Sequence, residues 1–182
     1  MRVQVKSILL AGFSYHAEFV SAEEEQLLIR QFRTLNWQNI IMYKKIAKRR
    51  VVHFGLDYSY SNRKVKSTVS PPAFLEPIIA RSAQLLLLKP TELEEILITE
   101  YSPGAGIGWH RDAPVFDKII GISLANPCFI KFRLKSDIKT QFKVDLEPRS
   151  AYILSSSIRE DWEHSIAPVK HIRYSLTFRN LK

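Results

Sequence analysis

Cysteine is nearly missing from this chain. The single thiol, Cys128, cannot close an internal disulfide, which excludes a secreted disulfide scaffold and any cysteine-rich zinc finger. It lies in the apolar stretch Cys128-Phe129-Ile130, so a buried strand thiol is expected there, not a nucleophile. Long apolar runs are missing as well. Nothing approaches the about 18 consecutive apolar residues of a spanning helix, and Ile8 to Gly12 is too brief for a secretory signal. No membrane partner and a cytoplasmic location are therefore expected. Internal repeats and Gly/Ser linkers are absent, so residues 1–182 read as one domain, expected to be monomeric. Acid is scarce: 27 Lys and Arg stand against 18 Asp and Glu, a net +9. That excess favours an anionic partner, with nucleic acid as the first candidate. What is present is ordinary globular material, 46% hydrophobic and 25% charged, which excludes a disordered chain.

Two helices are expected early. Over residues 21–35, Ser21 can cap, Glu24 completes a capping box, and Leu27, Leu28, Phe32 and Leu35 recur at helical spacing. Over 71–88, Pro71-Pro72 opens a helix and Pro90 closes it. Residues 51–60 read as strand with loop character. From Leu93 onward short β-rich runs dominate, at 95–101, 118–124, 128–134, 142–146, 151–155 and 172–179. Pro103-Gly104, Gly106, Gly108, Asn126-Pro127 and Pro148 punctuate them. Closely spaced strands without intervening helices indicate an antiparallel sandwich or barrel. The expected fold class is α+β, mainly β: a jelly roll with flanking N-terminal helices.

Five histidines are available, and His110 stands out for its neighbour. In Trp109-His110-Arg111-Asp112 an imidazole and a carboxylate lie two residues apart, on the same side of an extended segment. His164, 54 residues on, is the candidate third ligand. Two imidazoles and one carboxylate leave open positions on a metal, the facial arrangement of non-haem Fe(II) oxygenases. A surface ion pair is the plainer reading of His-x-Asp, and zinc accepts the same ligand types, although the helical His-Glu-x-x-His of zinc peptidases is absent. His16, His53 and His171 read as structural or surface residues.

The last run, Arg173-Tyr174-Ser175-Leu176-Thr177-Phe178-Arg179, alternates. Tyr174, Leu176 and Phe178 face a core; Arg173, Ser175, Thr177 and Arg179 face either solvent or a cavity. Two arginines in one cavity would repel unless an anion lies between them. Guanidinium forks match carboxylates, so a ligand with two acidic ends would suit them.

The segment Tyr101-Ser102-Pro103-Gly104-Ala105-Gly106-Ile107-Gly108-Trp109-His110-Arg111-Asp112, then His164-Ser165-Ile166-x-Pro168, then Arg173 through Arg179, together resemble the AlkB family of Fe(II)/2-oxoglutarate dioxygenases. Arg49-Arg50-Val51-Val52-His53-Phe54-Gly55 is similar to that family's nucleotide-recognition region, and the resemblance spans roughly residues 40–182. It implies a double-stranded β-helix over about 91–182, with helices and a recognition lid over about 1–90. It implies Fe(II) on His110, Asp112 and His164, which are thereby the catalytic residues, with 2-oxoglutarate and O2 as cosubstrates. Arg173 would pair with the distal carboxylate of 2-oxoglutarate, helped by the Tyr101 phenol, and Arg179 would lie near the metal-side carboxylate. Thr99 and Ser175 stand where the family often has asparagines, and both can still hydrogen-bond. Pro114 replaces an acid that serves the target base in the bacterial prototype. The implied reaction is oxidative demethylation of N-alkylated bases such as 1-methyladenine or 3-methylcytosine in DNA, releasing formaldehyde, succinate and CO2.

Residues 42–66 carry Lys44, Lys45, Lys48, Arg49, Arg50, Arg63, Lys64 and Lys66 against one acid, Asp57, with Tyr43, Phe54, Tyr58 and Tyr60 interleaved. Cations that track phosphates beside rings that stack on bases suit single-stranded or flipped nucleotides; a solvated basic loop over core aromatics is the plainer alternative. By likeness to the family's lid, Tyr58 and Tyr60 would flank the target base, His110 would stack opposite, and Arg49 and Arg50 would hold phosphate. Two alternatives stay open: an oxygenase of the same chemistry acting on RNA, tRNA or a methylated protein, and a non-catalytic basic nucleic-acid-binding barrel.

Overall fold

A computed structural model of the chain describes residues 11–42, 45–59 and 64–182. It opens with strand β1 (Phe13–His16) and helix α1 (Ala22–Phe32). The expected capping box is formed: the Glu24 amide donates to Ser21 Oγ at 3.2 Å, and the Ser21 amide donates to the Glu24 carboxylate at 2.8 Å. Two orphan donors of the first turn are thus satisfied. The helix stops short of Leu35 because the Trp37 indole takes the Phe32 carbonyl at 3.0 Å and the chain turns into β2 (Gln38–Met42).

β2 pairs with β3 (Lys45–Ser59), a strand longer than the expected 51–60. Gly55 sits within it at φ +72°, where a Cβ would lie 2.1 Å from the Glu94 carbonyl oxygen. Only glycine accommodates both conditions. Past this point β3 leaves its pairing with β5 (Glu95–Tyr101) and pairs instead with β4 (Lys64–Ser67). The helix expected over 71–88 divides into a 3-10 turn, Ala73–Leu75, and α2 (Glu76–Leu86), which ends at a left-handed Leu87.

The later strands are β6 (Ile107–His110), β7 (Phe116–Leu124), β8 (Cys128–Leu134), β9 (Gln141–Leu146), β10 (Ser150–Leu154), β11 (Trp162–Ile166) and β12 (Arg173–Leu181). A five-residue helix α3 (Ser156–Glu160) precedes β11. Each expected run is a strand, with ends moved by a residue or two. The additions β1, β2, β4, β6 and β11 are too short to display a period.

Two antiparallel sheets face each other as the expected jelly roll. The larger runs β1-β10-β7-β12-β5-β3-β2, with β4 on β3; the smaller runs β6-β11-β8-β9. α1 and α2 cover the outer face of the larger sheet, with Leu28, Phe32, Ile78 and Leu86 clustered with Ile98, Ile122, Leu176 and Phe178. Each such large side chain contributes about 1.5–3 kcal/mol on burial. Ile119, Ile130, Phe132, Val144 and Leu154 fill the space between the sheets. β12 is therefore buried on both faces, and its polar side faces the lumen, not solvent.

Strand register arranges that inner face in rows. Arg49, Tyr101 and Arg173 form one; Val51, Thr99, Ser175, Ser123 and Ser150 the next; His53, Leu97, Thr177, Gly121 and Tyr152 a third; Gly55, Glu95, Arg179, Ile119 and Leu154 the last. In the third row the Tyr152 ring lies against Gly121, where an added Cβ would stand 2.4 Å from the phenol Cζ. Among the described residues no helix is long and apolar enough to cross a membrane.

Candidate metal centre

His110 ends β6 and His164 sits mid-way along β11, and the two are direct register partners. Their rings approach to 4.3 Å between centroids. Asp112 follows β6 and sends Oδ2 to within 3.5 Å of His164 Nε2. One ligating atom from each of the three lies within 4.8 Å of the others. The three residues proposed from the sequence thus converge, two of them held together by a strand pairing. The His110 ring lies against His164, and Nδ1 contacts the Gly108 carbonyl at 2.9 Å. A proton on Nδ1 satisfies that carbonyl and leaves the Nε2 lone pair for a metal.

The surroundings favour ligating forms. Burial pushes His164 down to about 3, against the raising influence of Asp112, so its imidazole is neutral at ordinary pH. Burial pushes the Asp112 carboxyl up, but Arg179, then His164, His110 and Arg159, outweigh it and hold the group below the usual carboxylate range. Arg179 Nη2 donates to Asp112 Oδ1 at 2.7 Å, and Arg179 Nη1 donates to Glu95 Oε2. The plane of this guanidinium lies over Phe116, 5.5 Å from the ring centroid. From α3, Arg159 donates to the backbone carbonyls of Asp112, Ala113 and Phe116 at 3.4, 3.0 and 2.7 Å. It thereby pins the loop that carries Asp112.

Arg173 presents the opposite situation. It is fully buried, its Nε donates to Ser123 Oγ at 3.1 Å, and its Cζ lies 5.1 Å from the Tyr101 ring centroid. Among the described residues, neither terminal nitrogen, Nη1 or Nη2, has a hydrogen-bond partner. A buried unpaired cation costs several kcal/mol, so this guanidinium is preorganised for an anion. A carboxylate fits its fork, and a second carboxylate function on the same molecule can reach toward open positions on a metal. The donor set and the orphaned guanidinium therefore fit Fe(II) and 2-oxoglutarate together. Tyr152 lies in the lumen within electrostatic reach of both Arg173 and Asp112, its phenol pushed up by burial. Burial likewise raises Tyr101, against Arg173 and Arg49. Thr99 and Ser175 are buried one row from Arg173, and Ser175 Oγ stands 3.5 Å from Thr177 Oγ1.

The substrate-side candidates separate. Arg49 shares the inner row with Tyr101 and donates to the Gly106 carbonyl at 3.0 Å. Arg50 requires a correction. Successive strand residues face opposite ways, so its guanidinium lies on the helix side, bound to Glu100 through contacts of 2.8–3.0 Å. Tyr58, beyond the Gly55 kink, packs edge-on against Phe116 at 6.2 Å. Tyr60 lies outside the described residues. Cys128 is half-buried on β8, and burial raises its thiol.

Spacing did not reveal Glu95, Arg159, Ser123, Tyr152 or the position of His53. The available hint for Glu95 was an acid immediately before the apolar run Ile96-Leu97-Ile98. His53 lies one row from Glu95, with Nδ1 3.4 Å from Asp57 Oδ1 and 3.8 Å from Glu95 Oε1.

Comparison with known proteins extends this picture. The profile of the 2OG-Fe(II) oxygenase superfamily matches residues 12–179. An uncharacterised protein of Acanthamoeba polyphaga mimivirus is 26% identical over 94% of this chain and 86% of its own. The "Alkylated DNA repair protein ALKBH8 homolog" of Arabidopsis thaliana is 30% identical over 86% of this chain, which spans about half, 51%, of that protein. The mouse "tRNA (carboxymethyluridine(34)-5-O)-methyltransferase ALKBH8" is 30% identical over 84% of this chain but only 24% of its own length. Among solved structures, OsALKBH1 superposes with a TM-score of 0.71 at 16% identity, covering 93% of this chain and 96% of its own. A Pseudomonas putida prolyl-4-hydroxylase does so at 0.65 and 14% identity, over 94% and 93%.

Proposed function

The chain belongs to the 2OG-Fe(II) oxygenase superfamily, a dioxygenase of AlkB type whose cofactors are Fe(II), 2-oxoglutarate and O2, and from that premise we propose that it hydroxylates an alkyl carbon carried by a nucleobase. The observation that carries this reading is the orphaned Arg173 guanidinium in the same lumen as a two-histidine, one-carboxylate cluster. In this reading His110, Asp112 and His164 hold the iron, which with its cosubstrates supplies the two-electron oxidation of a C–H bond. Arg173 holds the distal carboxylate of 2-oxoglutarate, with Ser123 and the Tyr101 ring fixing its orientation. Thr99 and Ser175 line the cosubstrate floor. Arg179 stands by the metal-side end and keeps Asp112 charged. The apolar lumen around Ile119, Phe132 and Leu154 excludes water from the reacting carbon. Arg49 and Tyr58 position the nucleotide, a geometric contribution to rate, and Tyr60 is assigned beside them by likeness alone.

The target follows from charge and from relatives. The prolyl hydroxylase shares the fold, so fold alone does not select a nucleobase. The basic stretch 42–66 supports a nucleic-acid target, since phosphate contacts need cations. Removal of an N-methyl group from DNA is the first reading: the hydroxymethyl product breaks the bond between the ring nitrogen and that carbon, and passage of the hydroxyl proton to the nitrogen leaves formaldehyde and the unmodified base still on its sugar. RNA is the second, favoured by relatives named for a tRNA uridine; a hydroxyl placed on a carbon-linked substituent would stay attached. A panel of methylated DNA, methylated RNA and modified-uridine RNA, with Fe(II) and 2-oxoglutarate supplied, separates them. Formaldehyde from methylated DNA identifies the first; formaldehyde from methylated RNA, or a modified-uridine product heavier by one oxygen, identifies the second. No substrate-stimulated succinate from any nucleic acid would sink both, and nucleic-acid binding unaffected by His110→Ala would then support a non-catalytic barrel.

A further inference from the structure

We propose that Glu95 is a positioning residue for the metal centre: it holds Arg179 so that Asp112 keeps one oxygen free for the metal. The proposal rests on the metal-binding reading of His110, Asp112 and His164.

Glu95 opens β5, is the register partner of Arg179, and is only 3% exposed. A guanidinium can grip one carboxylate with two nitrogens. Here the grip is divided, with Nη1 on Glu95 and Nη2 on Asp112 Oδ1. Asp112 Oδ2 consequently remains turned toward His164. Without the charge on Glu95 the ionic hold on Nη1 is lost, and Arg179 is drawn further onto the two Asp112 oxygens. The metal and the guanidinium would then compete for Oδ2. Charge balance points the same way. Glu95 offsets the Arg179 charge, so less of it is left to oppose a dication at Asp112. A neutral residue at position 95 removes that offset.

The test uses the full metal-free chain, titrated with Mn(II), with the visible spectrum of the Co(II)-loaded protein as a second readout. Glu95→Gln should weaken Mn(II) binding by about 10–100-fold, the range for partners that orient a ligand, and should shift the Co(II) d–d bands. In an Arg179→Gln background the same substitution should add nothing, because Glu95 acts through Arg179. Unchanged Mn(II) affinity and Co(II) bands in Glu95→Gln, or an equal loss in the Arg179→Gln background, would overturn the proposal. If Glu95→Gln fails to fold, Glu95→Asp decides: it keeps the charge but shortens the reach, so weakened binding supports the proposal and wild-type binding overturns it. A wild-type chain that binds no Mn(II) would instead remove the centre itself, a distinct result.

Discussion

Arg173 and Arg179 occupy one face of one strand, six residues apart and both buried, yet their surroundings are opposite. Arg179 is met by Glu95 and Asp112. Arg173 is met by a serine hydroxyl and a tyrosine ring, and its terminal nitrogens have no hydrogen-bond partner among the described residues. Sequence alternation places both in the lumen but does not distinguish them. The difference lies in which acids the neighbouring elements deliver: β5 and the β6–β7 loop bring carboxylates to one end, while β7 brings Ser123 to the other. One arginine is part of the frame of the cluster, and the other is the one to which the proposed function assigns the cosubstrate.

The comparison breaks most visibly at the metal end. Asp112→Ala should weaken Mn(II) binding by more than the about 100-fold upper range seen for orienting partners, measured by calorimetric titration, while Arg173→Met should leave it intact.

Stability separates the arginines next. Arg179→Met strands two buried carboxylates and should cost about 3–5 kcal/mol in urea unfolding of the ligand-free protein. Arg173→Met removes an unpaired charge and should leave ligand-free stability equal or higher. It should nevertheless cut 2-oxoglutarate affinity by about 2–5 kcal/mol, the range for losing one partner of a buried charge pair. Equal destabilisation by both substitutions would erase the distinction.

Acid should act on the metal end first. His164 is depressed to about 3, below the about 6.5 of an unfolded imidazole. Its contribution to metal-free stability is therefore present above that unfolded value and lost as pH falls toward 3. Asp112, also depressed, adds a loss of the same sign below the about 3.9 of an unfolded carboxyl. Tyr101, Tyr152 and Cys128, around Arg173, are raised and stay neutral throughout this range. An acid-unfolding series should consequently fall from near pH 6, and His164→Ala should flatten its upper part.

The smallest effect concerns the lid. Arg49→Gln should reduce the salt dependence of oligonucleotide binding by about 0.7 log units per log salt if it meets one phosphate of a single strand. Arg50→Gln should leave that slope unchanged and lower the melting temperature, because its guanidinium serves Glu100.

Much of the site was legible because its residues travel in short, regular segments. His110 and Asp112 share an extended stretch, and the run from Arg173 to Arg179 keeps strict alternation, so two residue types and a period expressed them. Glu95, Arg159 and Ser123 were not legible, since each reaches the centre through a pairing or packing that brings together residues 43 to 84 positions apart. Arg50 was misplaced for a related reason. Adjacent basic residues look like one patch until strand direction sends them to opposite faces. The strands β6 and β11 were invisible because four or five residues are too few to show a pattern, although they carry both histidines.

The contact of the Tyr152 ring with Gly121 has a consequence for that wall of the lumen. One hydrogen atom in place of a methyl group gives the phenol its room. A Cβ at position 121 would stand 2.4 Å from the phenol Cζ, so any larger residue there would displace a ring that lies within electrostatic reach of both Arg173 and Asp112.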